Sequence, residues 1–133
     1  MRQITRSTGV FLMCVNLRSG IFMRKTGLFM ELAATYRKHG WELRGALLQP
    51  ATRADLEADE PQLLTNVTVR DAEVDALWFS RPSHNNREAW ELRLLAQTPY
   101  ALFETFEPEE TEEERDEVKQ EMEVRMREYA ANK

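Results

Sequence analysis

One short segment of the chain groups side chains that could bind an anion. Residues 80–87 (SRPSHNNR) hold two arginines, a histidine and two asparagines, and no carboxylate, within an otherwise acidic half of the sequence. Arginine and amide donors match the oxygens of a carboxylate or a phosphate. Arg81, His84 and Arg87 are therefore the candidate ligand-binding residues. Because Pro, Ser and Asn are frequent in turns, the same segment is also typical of a plain hairpin loop.

No other group of residues in the sequence predicts catalysis or a metal site. Cys14, His39 and His84 are the soft or borderline ligand types, and none has a partner at zinc-ligand spacing. The five glycines form no phosphate-binding loop, and no nucleophile motif occurs. We therefore predict no catalytic residue, no metal and no cofactor, and no motif assigns the chain to a known family.

The hydrophobic periodicity predicts the elements that must position this loop. A helix starts near Gly27 and ends at Gly40, and a helix of about 20 residues follows a capping box formed by Thr111 and Glu114. Between the two helices, the pattern predicts strands over 41–48, 63–70, 74–81, 88–96 and 100–106, and a short helix over 53–58 capped by Thr52.

Short connections between successive strands favour an antiparallel sheet with helices packed against it. The predicted fold class is α+β: a single domain with an antiparallel sheet of about five strands, and the N-terminal helix and the long C-terminal helix packed on one face. The strand over 74–81 is apolar on both faces, with Leu77 and Phe79 opposite Trp78. Both of its faces are therefore expected to be covered.

The strand over 88–96 alternates between apolar and charged side chains. Trp90 and Leu92 are predicted to lie in the core beneath the long helix, with Glu91 and Arg93 on the other side of the strand. A register that places Arg93 opposite Glu104 would give a favourable cross-strand pair.

The N-terminal segment is the weakest part of the pattern. Residues 1–22 have no helix cap and no sustained period, and we interpret them as a poorly structured or mis-annotated extension, with residues 23–133 as the single domain. The apolar stretch over 9–15 is short, and no cleavage site follows it, which argues against a signal peptide. The lone cysteine and the lack of a membrane-length apolar run lead us to expect a cytoplasmic protein.

The charge distribution limits the classes of partner. Residues 1–56 carry a net charge of +6, with nine Lys/Arg against three Asp/Glu, and residues 57–133 carry −11, with nine against twenty. The acidic half repels nucleic acid and anionic lipid, and the basic residues form no cluster. We therefore expect neither nucleic acid nor membrane as a partner.

Two functional hypotheses from different classes follow. If the helices cover one face of the sheet, the other face keeps an apolar patch, for which a homodimer is the common remedy. The first hypothesis is a small acidic non-enzymatic protein that acts through self-association, with a protein partner as an addition. The alternative is a small-molecule binding protein or enzyme that holds an anionic ligand at the loop over residues 80–87.

Replacing Arg81 and Arg87 with Gln tests the loop hypothesis. If both arginines hold one anion, an anionic metabolite should raise the melting temperature of the wild type more than that of the double variant, and the difference should shrink as salt rises. Thermal-shift screening of both proteins against the same anions measures this. Equal responses for every anion would identify the segment as a turn only.

Overall fold

A computed structural model describes residues 9–10 and 24–132. Two 3₁₀ turns, at Pro61–Leu64 and His84–Asn86, accompany the helices and strands. In chain order, the strands and α-helices are β1 (Gly9–Val10), α1 (Lys25–Lys38), β2 (Glu42–Leu48), α2 (Pro50–Asp59), β3 (Thr68–Asp71), β4 (Ala76–Pro82), β5 (Glu88–Leu94), β6 (Ala101–Phe106) and α3 (Glu112–Ala131). The prediction for residues 1–22 falls outside the described residues, apart from β1, which pairs with β6.

The sheet confirms the predicted α+β class. Its strands lie in the order β1-β6-β5-β4-β2-β3, with five strands of four to seven residues and the two-residue β1 at one edge. Every neighbouring pair is antiparallel except β2 and β3, which run parallel. The mostly antiparallel sheet follows from the short hairpin connections between β4, β5 and β6.

The predicted helix boundaries rest on two local signals that the structure contains. Gly40 follows α1 with a φ of +87°, a left-handed conformation that glycine adopts without steric cost. At the start of α3, the Thr111 hydroxyl accepts from the Glu114 backbone N–H, and the Glu114 carboxylate accepts from the Thr111 backbone N–H. This is the capping box that the sequence predicts.

The helices do not share one face of the sheet, which corrects the predicted packing. One core cluster joins α1 and α2 to Leu77 and Phe79 of β4. A second cluster joins α3 to Ala76 and Trp78 of the same strand, on its opposite face. Because β4 is apolar on both sides, each side needs its own cover, and the three helices divide between them.

Two further predictions were wrong in detail. The strand predicted over 63–70 is only Thr68–Asp71, because a 3₁₀ turn occupies Pro61–Leu64 and Asn66 has a φ of +64°. The short helix begins at Pro50 and not at residue 53, since proline suits the first turn of a helix. Thr52 therefore lies inside α2 and does not cap it.

A buried carboxylate joins α2 to the sheet. Asp75, just before β4, is 4% exposed and accepts from the Gln49 backbone N–H and from the Thr52 hydroxyl, both at 2.8 Å. The Lys25 ammonium of α1 lies 3.5 Å from the same carboxylate. Groups from α1, the start of α2 and the start of β4 thus meet at one buried anion.

The charged side of β5 is buried, which the alternating pattern did not indicate. Glu91 and Arg93 are 0% and 1% exposed, because α1 covers this face of the sheet. The Tyr36 hydroxyl of α1 donates to Glu91, while its ring stacks on Phe79 with centroids 4.0 Å apart. Arg93 lies opposite Ala101 and Glu104 lies opposite Trp90, so the register does not form the favourable pair of Arg93 with Glu104.

Burial changes the acid–base behaviour of this cluster. Loss of hydration raises the pKa of Glu91 to about 7, against the opposing effects of the Tyr36 hydrogen bond and the Arg93 charge. The Glu91 Oε1 atom and both terminal nitrogens of Arg93 have no hydrogen-bond partner among the described residues. The arginine therefore offsets only part of the cost of burying a carboxylate.

The raised pKa predicts how stability depends on pH. The unfolded chain loses the Glu91 proton near pH 4.5 and the folded chain near pH 7, so the wild type should lose stability as pH rises between these values. A Glu91→Gln variant should not show this loss. The difference in free energy of unfolding between the wild type and the variant should therefore change by about 3 kcal/mol between pH 4.5 and pH 7. Urea unfolding from pH 4 to pH 8 measures the difference, with Glu121→Gln, an exposed position on α3, as the control. Parallel stability curves would show that Glu91 titrates normally.

Candidate functional site

The hairpin over residues 80–87 is closed by its own backbone. The Ser83 N–H donates to the Arg87 carbonyl at 2.8 Å, and Asn85 and Asn86 have φ values of +57° and +61°. Asparagine tolerates this left-handed conformation better than most residues. The His84 side chain is exposed at the tip of the loop. Local turn chemistry therefore accounts for much of the unusual composition of the segment.

The two arginines of this loop contact different parts of the protein. Arg81 donates to the His39 carbonyl at 2.9 Å and lies over the Trp41 ring, 4.8 Å from its centroid. Arg87 donates through Nε to the Glu107 carboxylate at 2.8 Å. The structure brings neither arginine to the other, and each has an internal acceptor. Anion binding by Arg81, His84 and Arg87 stays a prediction, one that requires these contacts to rearrange.

A second group of charged and aromatic residues lies between α3 and the β2–β3 end of the sheet. It surrounds a cavity of about 390 Å³, here called the α3 cleft. Two tryptophans, three cations and two carboxylates contribute to its lining: Trp78, Trp90, Arg44, Arg70, Lys119, Asp116 and Glu123. We take the α3 cleft as the candidate functional site because it combines a defined volume with converging charge.

Gly45 and Trp78 form part of the floor of the cleft. The two residues are partners in the pairing of β2 with β4, next to a register shift between Leu43 and Gly45. A Cβ atom on Gly45 would lie 3.2 Å from the Thr68 carbonyl oxygen and 3.8 Å from the Trp78 side chain. A larger residue would push β3 outward or fill the cleft, so glycine keeps the floor open at this position.

The Trp78 indole is held by the long helix. Its Nε1–H donates to the Glu123 carboxylate at 2.9 Å, and the Arg70 guanidinium of β3 donates to the same oxygen of Glu123. Glu123 is buried, so both donors compensate a carboxylate that would be costly to bury alone. This contact fixes α3 relative to β3 and β4 and sets the width of the cleft.

Trp90 and Lys119 form the other end of the α3 cleft. The Lys119 ammonium lies 3.5 Å from the centroid of the Trp90 ring, and Trp90 meets Trp78 edge-on with centroids 6.0 Å apart. Burial lowers the pKa of Lys119, while the nearby charge of Asp116 opposes the change. Trp90 packs against the core cluster under α3, as the sequence predicts, but it is half-buried and borders the cleft.

The charge balance of the cleft differs from that of the whole chain. Arg44, Arg70 and Lys119 outnumber Asp116 and Glu123, in a protein whose net charge is −5. Arg44 and Arg70 each have an acidic partner, since Arg44 lies 2.7 Å from Glu42. Lys119 forms no ion pair with a described residue, although the charges of Asp116, Glu112 and Glu88 act on it, and its ammonium keeps donors for a bound anion.

Other types of site receive no support from the described residues. Among them, no group of three or more His, Cys, Asp or Glu side chains could hold a metal ion. No helix in residues 24–132 is long and apolar enough to cross a membrane. Comparison with protein-family models, with curated proteins and with solved structures finds no match.

Glu123 gives a direct test of the α3 cleft geometry. Glu123→Ala removes the acceptor of the buried Trp78 N–H and should reduce the free energy of unfolding by about 2 kcal/mol, because an unsatisfied buried donor is costly. Glu123→Gln keeps an acceptor oxygen and should cost about half as much. Glu121→Ala, exposed on the same helix, is the control and should change little in urea unfolding. An alanine effect at Glu123 no larger than at Glu121 would contradict the contact.

Proposed function

We propose that this protein binds a small anionic molecule with a flat apolar part in the α3 cleft. The observation that carries the proposal is Lys119, a half-buried ammonium that rests on the Trp90 ring without an ion pair to any described residue. A carboxylate or phosphate beside Lys119 would replace the hydration that burial removes. The apolar part would pack against Trp90 and the open floor at Gly45.

The dimensions of the cleft support a ligand of metabolite size. Its volume of about 390 Å³ lies in the range of small-molecule sites, roughly 300 to 1,000 Å³. Its walls come from α3, β2, β3 and β4, and the contact of Glu123 with Trp78 and Arg70 fixes them before a ligand arrives. A preformed site loses less entropy on binding than a flexible one.

The same geometry favours binding over catalysis. The cations and indoles that line the cleft are hydrogen-bond donors or apolar surfaces, and the Glu123 carboxylate already accepts two hydrogen bonds. No serine, cysteine or histidine is among the residues that line the cavity. We therefore propose a ligand-binding protein. The anionic ligand is the one that the sequence suggested, but the proposed site is the α3 cleft and not Arg81, His84 and Arg87.

Self-association, with or without a protein partner, stays a second hypothesis, but the surface that would support it differs from the one that the sequence suggested. The sequence argument required one open apolar face, but helices cover both faces of the sheet. Among the described residues, the exposed large apolar side chains are Met30 and Val124. The outer edge of β3 has no strand beside it in the described part of the chain, so a homodimer would form through this edge. Sedimentation equilibrium tests it.

Phenyl phosphate is a suitable probe of the proposed site because it combines an anion with a flat ring. We expect it to change the tryptophan fluorescence of the wild type in a saturable manner. Lys119→Met should weaken binding by about tenfold, because the charge-assisted hydrogen bonds to the anion are lost, and Lys119→Arg should restore most of it. Binding should also weaken as pH rises through the lowered pKa of Lys119.

Arg125→Met is the matched control, because it removes one positive charge from the exposed side of the same helix. It should leave the affinity nearly unchanged, apart from a small effect that disappears in salt. A wild type that shows no saturable change would overturn the proposal. Equal losses in Lys119→Met and Arg125→Met would also overturn it, since they would show a response to net charge only.

A further inference from the structure

The first half of β2 has a neighbouring strand on only one side among the described residues. β3 pairs only with the second half of β2, from Gly45 to Leu48. Glu42 and Leu43 pair with β4 on one side, and no described strand lies on their other side. The chain before β3 turns away, because Val67 donates to the Leu64 carbonyl. Residues 42–44 therefore form an open strand edge within the described part of the protein.

A groove runs alongside this open edge, on the α1 side of the sheet. Its volume is about 690 Å³, and it lies between α1, the start of β2 and the segment over residues 62–67. Its apolar lining comes from Phe29, Ala33, Trp41, Leu43, Leu63 and Val67. An open strand edge next to apolar pockets is the arrangement that binds extended peptides by strand addition.

The charge at the rim of the groove is positive. Arg37, in the last turn of α1, is exposed, and its side chain has no ion pair with a described residue. Arg44 borders the groove as well as the α3 cleft, and its partner Glu42 neutralises it. The unpaired Arg37 thus complements an acidic side chain, in a protein whose net charge of −5 otherwise repels acidic partners.

We infer that residues 42–44 and the adjacent groove dock an extended acidic segment of a partner protein. The segment continues the line of β3 as an added strand, so its backbone hydrogen-bonds to the open edge of β2. Alternate side chains enter the groove near Leu43 and Ala33, which are half-buried, as the two-residue period of a strand requires. An acidic side chain at the end of the segment pairs with Arg37. This surface is separate from Lys119 and does not depend on a ligand in the α3 cleft.

The test uses a labelled peptide of about eight residues, with an alternating Val and Thr centre and Glu at both ends. A matched peptide carries Lys in place of each Glu. Fluorescence anisotropy should show saturable binding of the acidic peptide by the wild type and at least tenfold weaker binding of the basic one. Amide hydrogen exchange of residues 42–44 should slow when the acidic peptide is bound, because strand addition engages their backbone groups.

Three variants distinguish docking from general attraction. Arg37→Glu should weaken binding of the acidic peptide by about tenfold, whereas Lys38→Glu, the exposed neighbour at the end of α1, should have little effect. Ala33→Trp should fill the groove and abolish binding while leaving the thermal stability close to that of the wild type. Lys119→Met should not affect peptide binding. A negative result with the peptide therefore leaves the α3 cleft proposal intact, and a negative result with phenyl phosphate leaves the groove proposal intact.

Several outcomes would overturn the inference. If the wild type binds the acidic and basic peptides equally, or binds neither, then the irregularity in β2 only protects the sheet edge from association. If Arg37→Glu and Lys38→Glu weaken binding to the same degree, the attraction is not specific to the groove. If exchange at residues 42–44 is unchanged in the bound state, the peptide lies elsewhere.

Discussion

The constraint on which this structure depends is the burial of both faces of β4. Leu77 and Phe79 need cover on one side, and Ala76 and Trp78 need it on the other. One layer of helices cannot meet both demands, so α1 and α2 pack on one face and α3 on the other. The cover is complete over the centre of the sheet and thins at its β3 end, where β3 and the start of β2 are exposed or half-buried. Both cavities discussed above lie at that end, and Arg44 borders each.

Buried carboxylates are compensated differently under α3 and under α1. On the α3 side, Glu123 is compensated by the Trp78 indole and the Arg70 guanidinium. On the α1 side, Glu91 accepts from Tyr36, while its second oxygen and the terminal nitrogens of Arg93 lack described partners. The first arrangement positions an element, whereas the second leaves a carboxyl group that titrates near neutral pH. Each arrangement depends on a helix that packs over a strand of the sheet.

The sequence predicts this fold well where the signal is local. Gly40 and the capping box of Thr111 and Glu114 both have their expected roles. It fails where the outcome depends on distant packing. The alternation around Glu91 is typical of a strand with one wet face, and only the position of α1 buries it. The α3 cleft was missed because the pattern places Trp90 beneath α3 but does not show that the Lys119 ammonium lies over its ring.

Asp75 has a consequence for how the molecule comes apart. Its carboxylate holds the Gln49 N–H and the Thr52 hydroxyl, with the Lys25 ammonium beside it. Detaching α2 or the start of α1 would leave a buried anion without its donors, which costs several kcal/mol. Fraying of these helices from the sheet is therefore suppressed. We therefore expect the α1–α2 layer and the start of β4 to open together and not one element at a time.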